Sequence, residues 1–191
     1  MTSILNRIID TAEEPFIVAE ISGNHKGSLS RLKDLIRLAS DSGADAVKIQ
    51  SYVPDSLTID SLNPDFVINE GLWSGQTLYG LYKNACTPFE WHQELFDFAR
   101  AHSILLFSSP FDLSAVDLLE SCECPAYKIA SFEIQDLSLI AKVARTLKPV
   151  IISTGMANME DIARAVYLIE SCGNSNIIIL HCVSSYPAPP C

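Results

Sequence analysis

Basic residues are scarce. The 191 residues include 13 Lys and Arg against 23 Asp and Glu, a net charge of −10. A surface of that sign disfavours nucleic acid, whose recognition calls for a basic face. It also gives anionic ligands no long-range attraction, so any anion bound here must be held by local lysines and backbone donors. Long apolar runs are missing too. None approaches the ~20 residues that cross a bilayer, and no membrane partner is expected. The opening MTSILNRIIDTAEEP has one basic residue, Arg7, and no continuous apolar stretch, unlike a secretory leader. The six cysteines are scattered through apolar and strand-end contexts, which reads as reduced thiols in a cytoplasmic protein. Cys122 and Cys124 stand close, but C-x-C alone is a weak metal signal and fits two small residues in a turn. No G-x-G-x-x-G follows the first apolar strand, which weakens a dinucleotide-binding reading. The four histidines build no metal centre: His25 reads as a loop residue, His92 and His102 as structural, His181 as a satisfied strand residue.

What the chain does have is a repeated junction. Hydrophobic residues make up 48%, and six short apolar segments each run into a polar turn. They are Phe16–Ile21, Ala46–Gln50, Ile104–Phe107, Ala126–Ala130, Val150–Ser153 and Ile177–Cys182. Between them the apolar spacing has the helical period, as in Leu32, Leu35, Ile36 and Leu38 before a Ser42-Gly43 stop. Asp112 and Asp136 stand where helix caps belong. Ser51 to Pro88 is an insertion, a loop in its first half and a short helix from Leu78 to Ala85 in its second. Alternating strands and helices predict a parallel sheet. Polar residues at every strand end favour a barrel, whose whole C-terminal rim faces one site.

The candidate chemistry sits at those ends. Glu20 closes a very apolar strand and is followed by the polar turn Asn24-His25. Its alternative role is an ion pair with a lysine of the next strand. Lys48 and Lys128 lie inside apolar strands, where lysines are rare unless paired. They call for an anionic ligand or for facing glutamates such as Glu20 and Glu133. A Schiff-base lysine is a further option. Alternation puts Gln50 on the face of Lys48. Ser109, Ser131, Ser153 and Ser184 each stand at a strand-to-loop junction, and small hydroxyls beside free backbone N–H groups suit phosphate or carboxylate oxygens.

AEISGNHKGSL, GADAVKIQSYVPDSLT, GLWSGQTLYGLY, TPFEWH, FSSPF, PAYKIASFE, ISTGMA and HCVSSYP, in that order, together resemble the sialic acid synthase family. Within it, the GLW, LY-x-LY, TP-x-EWH and FSSPFD segments are most like its pseudaminic acid branch; the N-acetylneuraminate branch is the alternative. The likeness runs from about Phe16 to Pro189. It implies a TIM (β/α)8 barrel that condenses phosphoenolpyruvate with an N-acetylated amino-sugar. It also implies a divalent metal such as Mn2+ and a homodimer. By motif match, Lys48, Ser109, Lys128, Ser131, Ser153 and Ser184 would bind phosphoenolpyruvate. Asn24, Gln50 and Tyr186 would line the same pocket, and Glu20 and Glu133 would handle protons or sugar hydroxyls. Residues 1–191 are expected to be the N-terminal portion, with about six βα units. The last strands, their metal ligands and a C-terminal antifreeze-like domain would lie beyond it. Such a part, with exposed sheet edges, is expected to be unstable or inactive alone, or a non-catalytic remnant.

Overall fold

The computed structural model describes residues 3–4, 7–8 and 14–184. Two compact units divide the chain, Ile17–Leu106 and Phe107–Cys191, the latter joined by the first sixteen residues. In the N-terminal stretch, β1 (Ser3–Ile4) and β2 (Arg7–Ile8) form an antiparallel ladder. Two residues a side are too few for alternation to announce a strand, and the sequence reading has none there.

In the unit Ile17–Leu106, β3 (Val18–Glu20) leads to α1 (Leu29–Asp41) and then to β4 (Ala46–Ser51). The two strands pair in parallel, with Val18 beside Ala46 and Glu20 beside Lys48. Ser28 caps α1 by accepting the Arg31 N–H at 3.3 Å, and the helix stops before Gly43, whose φ of 84° suits the left-handed exit. Leu32 and Ile36, one turn apart, are fully buried, as are Val47 and Ile49 of β4. The insertion is more ordered than a loop. It holds α2 (Pro54–Leu57), 3-10 turns at Pro64–Phe66 and Gly71–Trp73, and α3 (Leu78–Ala85). After a further turn at Phe89–Trp91, α4 (His92–Ala101) buries Leu95, Phe96 and Ala99.

In the other unit, β5 (Leu105–Pro110), which begins at the boundary, is followed by α5 (Leu113–Ser121), β6 (Tyr127–Ile129) and α6 (Leu137–Ala144). Then come β7 (Val150–Ser153), α7 (Met159–Ser171) and β8 (Ile177–Leu180). All pairings are parallel: Ser108 with Tyr127, Lys128 with Ile151, and Ser153 with Leu180. Asp112 caps α5, accepting from Ala115 N–H at 2.8 Å, and Asp136 caps α6 through Ser138 and Leu139. Asn158 and Asp161 form a reciprocal capping box on α7. The helices bury Val116, Leu119, Leu139, Ile140, Ala165 and Ile169, and β6 and β7 bury Tyr127, Ile129 and Ile152. β8 differs. Ile179 and Leu180 are 49% and 38% exposed.

Candidate functional site

In the unit Ile17–Leu106, parallel register sets Glu20 beside Lys48. Because side chains alternate along a strand, Val47 and Ile49 point into the buried layer while Lys48 and Gln50 point the other way. Lys48 Nζ forms an ion pair with Glu20 Oε2. The second carboxylate oxygen accepts the Ser22 N–H at 3.1 Å and the Ser22 hydroxyl at 2.8 Å. Ser22 holds φ at 49°, a left-handed conformation uncommon for a residue with a side chain, and this bend aims both donors back at Glu20. Two of the expected residues are thus brought together as the ion pair that was the alternative for Glu20. Asn24 turns its amide inward to the local turn, donating to Ile21 O at 2.8 Å. Gln50 is half-buried.

His25 lies in the turn after β3, as the loop reading expects, but it is not an ordinary loop residue. His25 is fully buried, its Nε2 lies 3.2 Å from Ala85 O, and its Nδ1 accepts the Gly27 N–H at 3.1 Å. Trp91 meets the ring edge-on. A carbonyl can only accept, so Nε2 carries the proton and the ring is neutral. His92 is structural as expected. It is buried, Nδ1 donates to Pro88 O at 3.1 Å, and Nε2 accepts the Ser51 hydroxyl at 2.7 Å. Burial holds both imidazoles below their ordinary pKa.

In the other unit the expected serines gather. Ser108 and Ser109 lie within β5 and do not follow it: the strand continues because its backbone finds parallel partners, and the sequence reading ended it too early. Register sets Ser109 next to Lys128 and, two residues further along, Ser153 next to Leu180 on the same face. Ser109 is 1% exposed and its hydroxyl has no hydrogen-bond partner. Ser131 opens the turn after β6. Its Oγ accepts the Gly155 N–H at 3.3 Å and lies 3.6 Å from Cys182 Sγ. A Cβ on Gly155 would sit 2.3 Å from Ser184 Oγ and 2.9 Å from Cys182 O, so only glycine fits there. Burial alone would raise the Cys182 thiol. The nearby Ser131 hydroxyl, Thr154 N–H, Ser153 hydroxyl and Gly155 N–H outweigh it and hold the thiol below its ordinary value.

Glu133 completes the group. Burial raises its carboxyl above the ordinary carboxylate range, with Lys128 pulling the other way, and Oε2 is buried without a partner. Tyr186 lies outside the described residues. The sequence reading missed Cys182 and Ser22. Cys182 looks like any strand-end thiol until the turn after β7 is seen against it, and Ser22 has no motif of its own.

Among the described residues no group of three His, Cys, Asp or Glu side chains could hold a metal ion. Cys122 and Cys124 are buried. Cys124 donates to Ala126 O at 3.1 Å and burial pushes its thiol up to about 12, which fits a packed residue and not a ligand. A cavity of about 680 Å³ beside α6 and α7, lined by Leu137, Lys142, Arg145, Arg164 and Tyr167 among others, shares no residue with the serine cluster.

Parallel strands alternating with helices, with polar groups at the strand ends, define an α/β fold of the (β/α)8 class, represented by six parallel strands of an incomplete barrel. Residues 35–191 match the NeuB family, and the chain belongs to that family. It is 48% identical over 176 residues to the pseudaminic acid synthase of Helicobacter pylori, covering 92% of this chain and 52% of that protein. It is 44% identical over 178 residues to the pseudaminic acid synthase of Campylobacter jejuni, covering 93% and 52%. Among solved structures, the N-acetylneuraminic acid synthetase of Leptospira borgpetersenii superposes with a TM-score of 0.80 at 29% identity, covering 93% of this chain and 57% of that one. The chain spans about half the length of the curated relatives it matches.

Proposed function

We propose that this chain carries the phosphoenolpyruvate-binding part of a transferase that condenses phosphoenolpyruvate with an N-acetylated amino-sugar, of the pseudaminic acid kind. The observation that carries the reading is the Ser131–Ser153–Thr154–Gly155 cluster in the same unit as Lys128. Hydroxyls, backbone N–H groups and an ammonium provide what phosphate and carboxylate oxygens require. Ser109 adds a buried hydroxyl in register with Lys128, and Ser184 packs against Gly155. Identity to the two pseudaminic acid synthases favours that branch over the N-acetylneuraminate branch.

In this reaction the enol carbon attacks the aldehyde carbon of the open-chain sugar, and the aldehyde oxygen takes up a proton. Water then adds to the former enol carbon and gives up a proton, and the C–O bond to phosphate breaks, releasing inorganic phosphate. Glu133 is suited to proton handling, since its raised carboxyl exchanges a proton closer to neutrality than an ordinary glutamate. Glu20, Lys48, Gln50 and Asn24 lie together in the unit Ile17–Leu106, where the Glu20–Lys48 pair is suited to sugar hydroxyls or a ligand's charge. A metal of the kind the family resemblance implies would polarise the aldehyde. The described residues offer no set of side chains that fits one. No described helix is long and apolar enough to cross a membrane. The free thiols fit the reducing cytoplasm, and a homodimer accords with the resemblance.

Binding of phosphoenolpyruvate to the 191-residue chain, followed by calorimetry or 31P line broadening, tests the reading. Loss of one charge-assisted hydrogen bond is worth about 1.5–3 kcal/mol, so Lys128→Ala or Ser131→Ala should weaken binding ~10–100-fold. Equal affinity in wild type and both variants would refute it.

A further inference from the structure

We infer that Cys182 is a modification site that switches the serine cluster off: its thiolate reacts with hydroperoxides or alkylating agents, and a bound oxyanion shields it. The inference rests on reading the cluster as an oxyanion site. Its starting point is geometry. Cys182 Sγ sits 3.6 Å from Ser131 Oγ, the hydroxyl that also accepts the Gly155 N–H at 3.3 Å, and Ser153 and Thr154 stand close enough to favour its thiolate. Those are the groups that would hold a ligand's oxygens, and the sulfur is half-exposed. Three other described thiols are unlike it. Cys122 and Cys124 are buried, and Cys86, which donates to Lys83 O at 3.3 Å, is pushed up by burial. Reactivity follows the thiolate fraction and access, which Cys182 alone among these four combines.

Ser109 points to a ligand independently of the sulfur. Its hydroxyl is 1% exposed, has no partner, and shares the sheet face of Lys128 and Ser153. A buried hydroxyl without a partner is costly unless something fills the role. A ligand that does so occupies the face of Lys128 and Ser153, in the unit where Ser131 meets Cys182.

With a hydroperoxide the thiolate attacks one peroxide oxygen. An S–O bond forms, the O–O bond breaks, and hydroxide or alkoxide leaves and takes a proton from water. Sulfur is oxidised by two electrons and the peroxide is reduced. The product oxygen is itself an acceptor among donors, so it competes with the ligand for the same hydrogen bonds. Alkylation does the same by bulk.

The test uses the 191-residue chain. Iodoacetamide at neutral pH, with peptide mass spectrometry of each cysteine, gives site-resolved rates alone, with phosphoenolpyruvate, with inorganic phosphate, and with chloride of equal ionic strength. Cys182 should react ~10-fold or more faster than Cys86, and phosphoenolpyruvate or phosphate, but not chloride, should slow it several-fold. Ser131→Ala should slow it without ligand. A Cys182→Ser variant should bind phosphoenolpyruvate and lose sensitivity to the reagent. If phosphoenolpyruvate binds by calorimetry while Cys182 reacts no faster than Cys86, or is unshielded, the inference falls and the proposed function stands. If Cys182 reacts fast but neither anion binds, the oxyanion reading falls and takes the switch with it.

Discussion

Acidification should loosen the unit Ile17–Leu106 through two buried histidines. His25 and His92 are each fully buried, neutral by hydrogen-bond logic, and held below their ordinary pKa chiefly by burial. In the unfolded chain each protonates near pH 6.5. The unfolded state therefore binds more protons than the folded state below that value, and stability falls as pH falls. The contribution is fully present above about pH 7.5 and is lost progressively below 6.5. One unit below the unfolded pKa, each histidine costs at most about 1.4 kcal/mol, and the pair at most about 2.8 kcal/mol. That is a large share of the ~5–15 kcal/mol that holds a typical domain together.

Urea unfolding at pH 7.5 and 5.5, followed by hydrogen exchange of residues 46–51 and 92–101, measures the loss where it should occur. Other groups titrate in the same window, so the control is the double variant His25→Gln and His92→Gln. It should start less stable, because each ring's packing and hydrogen bonds are replaced imperfectly, yet its stability should depend less on pH. Parallel pH dependence in wild type and double variant would show that the histidines are not the titrating groups.

Two further outcomes follow from the serine cluster. Gly155→Ala drives a Cβ against Ser184 Oγ and the Cys182 carbonyl, so it should cost ~1–3 kcal/mol in the urea midpoint and weaken phosphoenolpyruvate binding; no change in either would show that the turn is slack. Glu133→Gln removes a buried carboxylate whose raised pKa makes the charged form a cost at neutral pH. Its stability advantage should be largest above the folded pKa and vanish as pH falls and the native carboxyl protonates. At pH 7 a gain of about 1 kcal/mol would raise Tm by ~2–4 °C, and an unchanged or lower Tm would contradict the assigned environment.

Local chemistry was the most legible part of the chain. Asp112 and Asp136 cap the helices that follow them, and Leu78–Ala85 is a helix with the expected ends, because caps and helical periods act over a few residues. Strand ends were less legible. Polar Ser108 and Ser109 resemble a turn, yet parallel pairing carries β5 through them, and only the partner strand holds that information. His25 shows the same limit: its polar loop is legible, but its burial is not, because Ala85 and Trp91, far along the chain, enclose it. The cluster around Cys182 depends on three separate segments, the turns after β6 and β7 and the end of β8. No spacing within one segment could reveal it.

The two carboxylates that the sequence treats alike are separated by their surroundings. Glu20 has both oxygens engaged, one by Ser22 and one by Lys48. Glu133 has a buried Oε2 with no partner and a carboxyl raised by burial above the ordinary carboxylate range, the direction that suits a proton-exchanging carboxyl. Under the proposed function, proton handling is assigned to Glu133, and Glu20 to keeping Lys48 in place. The division has a test that register alone would not suggest. Glu20→Gln should leave the acid limb of a pH–rate profile of the active synthase where it is while weakening substrate affinity, because it loosens Lys48. Glu133→Gln should abolish that limb, because the titrating group itself is gone. An acid limb that moves with Glu20 instead would reverse the assignment.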